Sequence, residues 1–147
     1  GGGAAAEAGP IMHGRNIPNL SRVLVYKLGA NQELPPVPER NKQLPKPAPV
    51  TANADSIQQG QVLYHRHCGY CHGDGLRTGG LTPDLRYSGQ AVHDIWQDIV
   101  IEGVLKARGM ISFAPYLDAT EAESVRQYVL MEANKLYQRQ KTTPAAD

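Results

Sequence analysis

Cysteine is scarce in this sequence: there are 2 in 147 residues, Cys68 and Cys71. A disulfide between them would close too short a loop to stabilise much. With no third cysteine, a zinc site built on two ligand pairs lacks its second pair. An excess of charge of one sign is also missing. Lys and Arg number 15 against 14 Asp and Glu, a formal net charge of +1, which leaves no basic footprint for nucleic acid. Long apolar runs are absent. The longest candidate, Ile99-Val100-Ile101, stops at Glu102, far short of the roughly 18 residues that suggest a membrane span. The chain shows no signal peptide and no initiator methionine. Hydrophobic content of 41% and charged content of 20% are ordinary for a soluble globular chain, and the length suggests one domain or one plus an appendage.

What is present centres on Cys68-Gly69-Tyr70-Cys71-His72. C-x-x-C-H is the attachment signature of a c-type haem. A three-residue step on a helical turn puts both sulfurs on one side, where each can add to one vinyl group of the porphyrin. The adjacent His72 is carried under the ring, where a neutral imidazole nitrogen can bond the iron. A redox dithiol would need a βαβ context and gives no reason for the histidine. Because such attachment is extracytoplasmic in bacteria, the missing signal suggests a mature or excised chain of periplasmic origin.

Taken in order, residues 1–33 read as a remnant of a preceding domain. Residues 1–20 form a Gly/Ala/Pro-rich loop. Ser21 to Gly29 alternates like a β-strand that has no partner in this chain. Residues 34–54 hold Pro35, Pro36, Pro38, Pro45, Pro47 and Pro49 and read as an extended, solvated tether. The haem domain spans 55–141. Its first helix runs from Ser56 to about His67, capped by Asp55, with Ile57, Gly60, Tyr64 and Cys68 on one stripe. Gly60 costs about 1 kcal/mol relative to alanine in mid-helix, which makes sense where another helix must approach closely. Gly73 to Gly89 reads as loop. A second helix runs from Gln90 to Ile101 and ends at Gly103, followed by loop over 104–119. Thr120-Glu121-Ala122-Glu123 has the form of a capping box, opening a terminal helix to about Gln140 with Val125, Tyr128, Val129, Met131 and Leu136 apolar. Residues 142–147 are tail.

Met110 follows Gly109 in the loop, 38 residues after His72, and its thioether is a soft ligand suited to the far side of haem iron. Met131 lies on an apolar helix face, where methionine serves as core filler, and Met12 lies beyond the tether. His65 and His67 flank the attachment site too closely to reach the other face, and His93 is a lesser rival. In Leu81-Thr82-Pro83-Asp84-Leu85, the Pro83 carbonyl is placed to accept from His72 Nδ1, with Leu81 and Leu85 against the ring. Arg77, Arg86, Tyr87 and Trp96 are candidates to hold the propionates. Lys106 and Arg108 beside Met110 could rim the exposed haem edge and steer an acidic partner.

Residues 55–140 resemble class I c-type cytochromes. Gly60, Tyr64, Cys68, Cys71 and His72 match that family's first helix and attachment site. Pro83 with Leu85 matches its proline-x-leucine loop, and Gly109-Met110 its methionine loop, although Ile111 stands where many members have proline. Val125, Tyr128 and Val129 look like the terminal-helix residues that cross the first helix at the glycine. The resemblance implies an all-α fold, three to five helices around one covalent haem c, preceded here by the proline-rich tether. It also implies one-electron transfer rather than catalysis by this chain itself. The rival is a haem-based enzyme or gas sensor with an open distal site.

Arg22 to Gly29, followed by Leu34-Pro35-Pro36, resembles the last propeller strand and tether of quinohaemoprotein alcohol dehydrogenases. That likeness implies a preceding pyrroloquinoline-quinone domain as electron donor. The acceptor would be a redox protein or membrane oxidase, and the chain a monomer without a membrane span.

Overall fold

The structure, a computed structural model, describes residues 25–29, 31, 33, 44–78 and 82–142. The described elements are helical, with no strand among the described residues. Of the strand expected over Ser21–Gly29, residues 21–24 lie outside the described residues, and Val25, Tyr26 and Leu28 are exposed.

Two long helices, α1 (Ala54–His67) and α4 (Ala119–Thr142), form the frame. Between them in sequence come the short α2 (Gly69–His72) and α3 (Gln90–Asp94). Helices α1 and α4 cross at Gly60, where an added Cβ would fall 1.9 Å from the Ser124 carbonyl oxygen and 3.0 Å from Val125 N. Around that crossing Leu63, Tyr64, Val125, Tyr128 and Val129 are all buried.

Helix α1 starts two residues earlier than expected. Asn53 is the N-cap, its Oδ1 accepting from Ser56 N at 2.9 Å. Asp55 therefore lies in the first turn, where its carboxylate suits the positive end of the helix dipole. The box expected at Thr120–Glu123 is formed instead by Asp118 and Glu121. Glu121 N donates to Asp118 Oδ1 at 2.8 Å, and Asp118 N donates to Glu121 Oε2 at 3.0 Å. The spacing is the same and Asp caps as well as Thr. The earlier start also brings buried Leu117 and Ala122 into staple positions around the cap.

The second helix is not continuous. Helix α3 gives way at Ile95 (φ −107°, ψ 26°), and a wide π-type turn follows over Asp98–Glu102, closed by left-handed Gly103 as expected. Two carbonyls of this wide turn are taken up by the next loop. Phe113 N donates to Val100 O at 2.8 Å, and Ser112 Oγ donates to Ile101 O. Residues 104–119, expected as loop, include a 3₁₀ turn at Lys106–Arg108 before Gly109 (φ 93°).

The second half of the proline-rich stretch is not solvated tether. Leu44 is buried, and Ala48, Thr51 and Ala52 are bonded to α4. Thr51 N and Ala52 N both donate to Gln127 Oε1, at 2.9 and 3.3 Å, and Asn134 Nδ2 donates to Ala48 O at 2.8 Å. Prolines hold such a strap extended, but its attachment depends on residues far along the chain, which local composition does not reveal. Packing therefore crosses the boundary expected between 54 and 55.

Candidate haem-attachment site

Helix α1 ends at Cys68, whose N–H donates to Tyr64 O at 2.8 Å. The chain then makes one more turn, with Cys71 N and His72 N both bonded to Cys68 O, at 3.1 and 2.9 Å. The two cysteines and the histidine thus share a single helical turn. Both thiols are free, Cys68 buried and Cys71 exposed. Burial, with a smaller contribution from Cys71, pushes the Cys68 thiol up to about 12.

His72 is 8% exposed, and its Nδ1 lies 2.9 Å from the Pro83 carbonyl oxygen. A carbonyl only accepts, so Nδ1 carries the proton and Nε2 is the lone-pair nitrogen. Thr82 Oγ1 donates to Cys71 O at 2.5 Å, and Thr78 Oγ1 donates to Thr82 O at 2.8 Å, fastening the proline loop to the attachment turn. Tyr64 is fully buried and its hydroxyl donates to His72 O and Gly73 O, at 3.1 and 2.7 Å. Burial holds that hydroxyl far above the ordinary tyrosine range.

Gly73 follows the histidine at φ 79°, where an added Cβ would fall 1.8 Å from Arg77 O. Leu76, fully buried, sits at φ 67°, a conformation bulky residues rarely adopt. Sequence reasoning missed both, although a glycine directly after C-x-x-C-H was a visible signal for the first.

Met110 and Leu85 are half-buried against the core cluster that contains Cys68, Leu76, Trp96 and Ile99. Met110 N donates to Leu105 O at 3.3 Å across the Gly109 turn. Leu81 and Met12 lie outside the described residues. Met131 packs against the same core from α4. His65 Nδ1 is 3.0 Å from Asp74 Oδ1, His67 stacks on Tyr116 at 5.9 Å, and His93 stacks on Trp96 at 5.8 Å.

Two of the expected propionate partners are already engaged. Trp96 Nε1 donates to Ala122 O at 2.9 Å, so the indole N–H braces α4 rather than reaching a propionate. Arg86 makes a two-pronged contact with Asp84, Nε to Oδ1 at 2.9 Å and Nη2 to Oδ2 at 2.5 Å. Both residues are short-range neighbours, and the fork geometry of arginine favours such a carboxylate. Arg77 is exposed and shares a groove with Arg86, His65 and Tyr128, while Tyr87 is half-buried.

The donor set fits a haem c. Two unpaired thiols share one turn with an imidazole whose Nδ1 is fixed by a carbonyl, leaving Nε2 for iron. The apolar side chains around them suit a porphyrin face.

Comparison with known proteins agrees. The chain is 40% identical over 146 residues to quinohemoprotein alcohol dehydrogenase ADH IIB of Pseudomonas putida, covering 98% of this chain and 21% of that protein. It is 34% identical over 125 residues to the dehydrogenase subunit of the quinone alcohol dehydrogenase of Komagataeibacter europaeus, covering 83% of this chain and 17% of that one. The solved structure of quinohemoprotein alcohol dehydrogenase ADHIIG from Pseudomonas putida HK5 superposes with a TM-score of 0.63 at 31% identity, over 75% of this chain and 16% of that one. The chain thus spans about a fifth of the length of these relatives. Residues 55–129 match the family model described as cytochrome c oxidase, cbb3-type, subunit III; this chain belongs to that c-type cytochrome family, and its cofactor is covalent haem c.

Proposed function

We propose that the chain is the electron-transfer domain of a quinohaemoprotein alcohol dehydrogenase. On this reading it takes single electrons from a preceding pyrroloquinoline-quinone domain and passes them to an external redox protein or membrane oxidase. The observation that carries this reading is the attachment turn itself, with Cys68, Cys71 and the Pro83-bonded His72 on one helical step.

Bound haem supplies reversible one-electron exchange at iron. Cys68 and Cys71 would hold the ring by thioethers, so that the cofactor is not lost when it faces a partner. His72 would bind iron through Nε2, with the Pro83 carbonyl accepting from Nδ1 and fixing the ring plane. Met110, presented by the Gly109 turn, would supply a thioether sulfur to the iron, keep water from it and favour the reduced state. His72 and Met110 as a fixed pair of ligands would keep the rearrangement accompanying each electron small. Lys106 and Arg108 flank Met110 in an exposed turn and steer an acidic partner toward that edge.

The relatives' quinone cofactor and alcohol chemistry are consistent with an upstream donor, and a periplasmic location follows from the way c-type haem is attached. No helix among the described residues is long and apolar enough to cross a membrane.

The test is a spectroscopic redox titration of the haem-loaded chain, followed by exposure to carbon monoxide. A single reversible one-electron transition and a ferrous form that rejects carbon monoxide are expected. Rapid carbon monoxide binding by the folded protein would favour an enzyme or sensor with an open site.

A further inference from the structure

We propose that Gln127 and Asn134 form a clamp that makes residues 44–53 part of the haem domain, so that the tether to the preceding domain ends at Leu44 and the donor is held close. The inference rests on the reading above, in which a dehydrogenase domain precedes this chain.

Gln127 is 2% exposed on α4, where an amide is costly unless all its polar atoms are paired. Every one is used. Oε1 accepts from Thr51 N and Ala52 N, at 2.9 and 3.3 Å, and Nε2 donates to Thr51 Oγ1 at 3.1 Å and Glu123 Oε1 at 2.7 Å. Three of the four bonds cross to the strap. Two turns further along α4, Asn134 Nδ2 grips Ala48 O while also bonding Leu130 O. Leu44 is buried at the start of the strap. Pro45, Pro47 and Pro49 restrict φ along it, so the strap is pre-set for this extended path. Thr51 and Ala52, just past the last proline, supply consecutive amides to a single oxygen. A helix face that only needed core packing would hold an apolar side chain here; a fully satisfied amide latches one particular segment.

The clamp changes the reach of the connection. Residues 34–43 can span at most about 36 Å, whereas residues 34–53 released together could span about 72 Å. Effective concentration across a linker falls roughly as the −3/2 power of its length, so release would dilute the haem domain around its donor about threefold.

The experiment uses the haem-loaded chain and the same chain joined to the domain its own gene encodes upstream. In the unaltered chain, hydrogen exchange at the Thr51 and Ala52 amides is expected to be slow, and Gln127→Leu should accelerate it at least tenfold. Reduction potential and reduction by a small external reductant should not change. In the joined protein, internal electron transfer should fall about threefold, and deleting residues 34–43 from Gln127→Leu should restore it, because length is then compensated. If Gln127→Leu misfolds, Asn134→Ala should accelerate the same two amides severalfold. The clamp is overturned if those amides exchange at free-peptide rates in the unaltered chain, or if neither variant speeds them. Unchanged internal transfer after a release seen by exchange would overturn its role in reach. A gene with no dehydrogenase domain upstream would overturn the donor reading and the reach argument, leaving the clamp to be decided by exchange alone.

Discussion

His72 Nδ1 and the Pro83 carbonyl oxygen stand 2.9 Å apart across eleven residues of chain. That bond fixes which imidazole nitrogen keeps its lone pair. It is held in turn by Thr82, whose hydroxyl ties the proline loop to Cys71 O. Thr82→Val should cost about 1 kcal/mol of stability, the typical worth of one hydrogen bond. It should also raise the reduction potential, because a slacker Nδ1 contact makes the imidazole a weaker donor to ferric iron. Chemical denaturation and a redox titration of the pair check both; an unaltered potential would mean the loop is held by other contacts.

Gly60→Ala offers a test of sign. Helix propensity alone would make the alanine variant about 1 kcal/mol more stable. The Cβ, however, would meet the backbone carbonyl of Ser124 at 1.9 Å, and overpacking of this kind costs about 1–3 kcal/mol. A clash with backbone takes the upper end of that range, and the resulting net loss of about 2 kcal/mol lowers Tm by about 10 °C for a domain of this size. Calorimetry showing a stabilised variant would contradict the close crossing of α1 and α4.

Met110→Ala should abolish the near-infrared sulfur-to-iron band and open the sixth position to cyanide. Loss of a Met/His pair lowers the potential, here by more than about 60 mV, a tenfold change for one electron. Met131→Leu should leave all three properties in place. The reverse pattern would move the ligand to α4.

His93 should make the domain acid-sensitive. It is 6% exposed, stacked on Trp96, and its Nδ1 has no hydrogen-bond partner. Burial, aided by Arg126, depresses its pKa against the opposing pull of Asp94, the Ser88 carbonyl and Glu123. As pH falls below about 6.5, the unfolded chain takes up a proton that the folded chain refuses. Stability is therefore full above that pH and declines beneath it, by at most about 1.4 kcal/mol per pH unit for one proton. Urea unfolding at pH 7 and pH 5 should show a smaller acid loss in His93→Phe than in the parent chain; equal losses would assign the sensitivity elsewhere.

The cofactor was legible in the sequence because covalent chemistry imposes spacing: two thioethers and one iron bond need C-x-x-C-H. The all-α fold class was legible through the resemblance to class I c-type cytochromes. What escaped depended on contacts between distant residues. Nothing near Trp96 announces that its indole will brace Ala122, 26 residues away. Nothing in a run of prolines announces a latch 76 residues downstream at Gln127. The break at Ile95 and the wide turn after it answer to Ser112 and Phe113 in the next loop, so a periodicity count over Gln90–Ile101 read through them as one helix. The cap shift from Thr120 to Asp118 is a different failure: two equally good boxes overlapped, and tertiary burial of Leu117 chose between them.

The central claim is that one haem is bonded covalently through Cys68 and Cys71. Its most direct test is the intact mass of denatured chain produced in a host that matures c-type cytochromes. The account predicts a single species carrying the polypeptide mass plus one haem, which stays attached after acid-acetone extraction. A bare polypeptide mass from that host would contradict it.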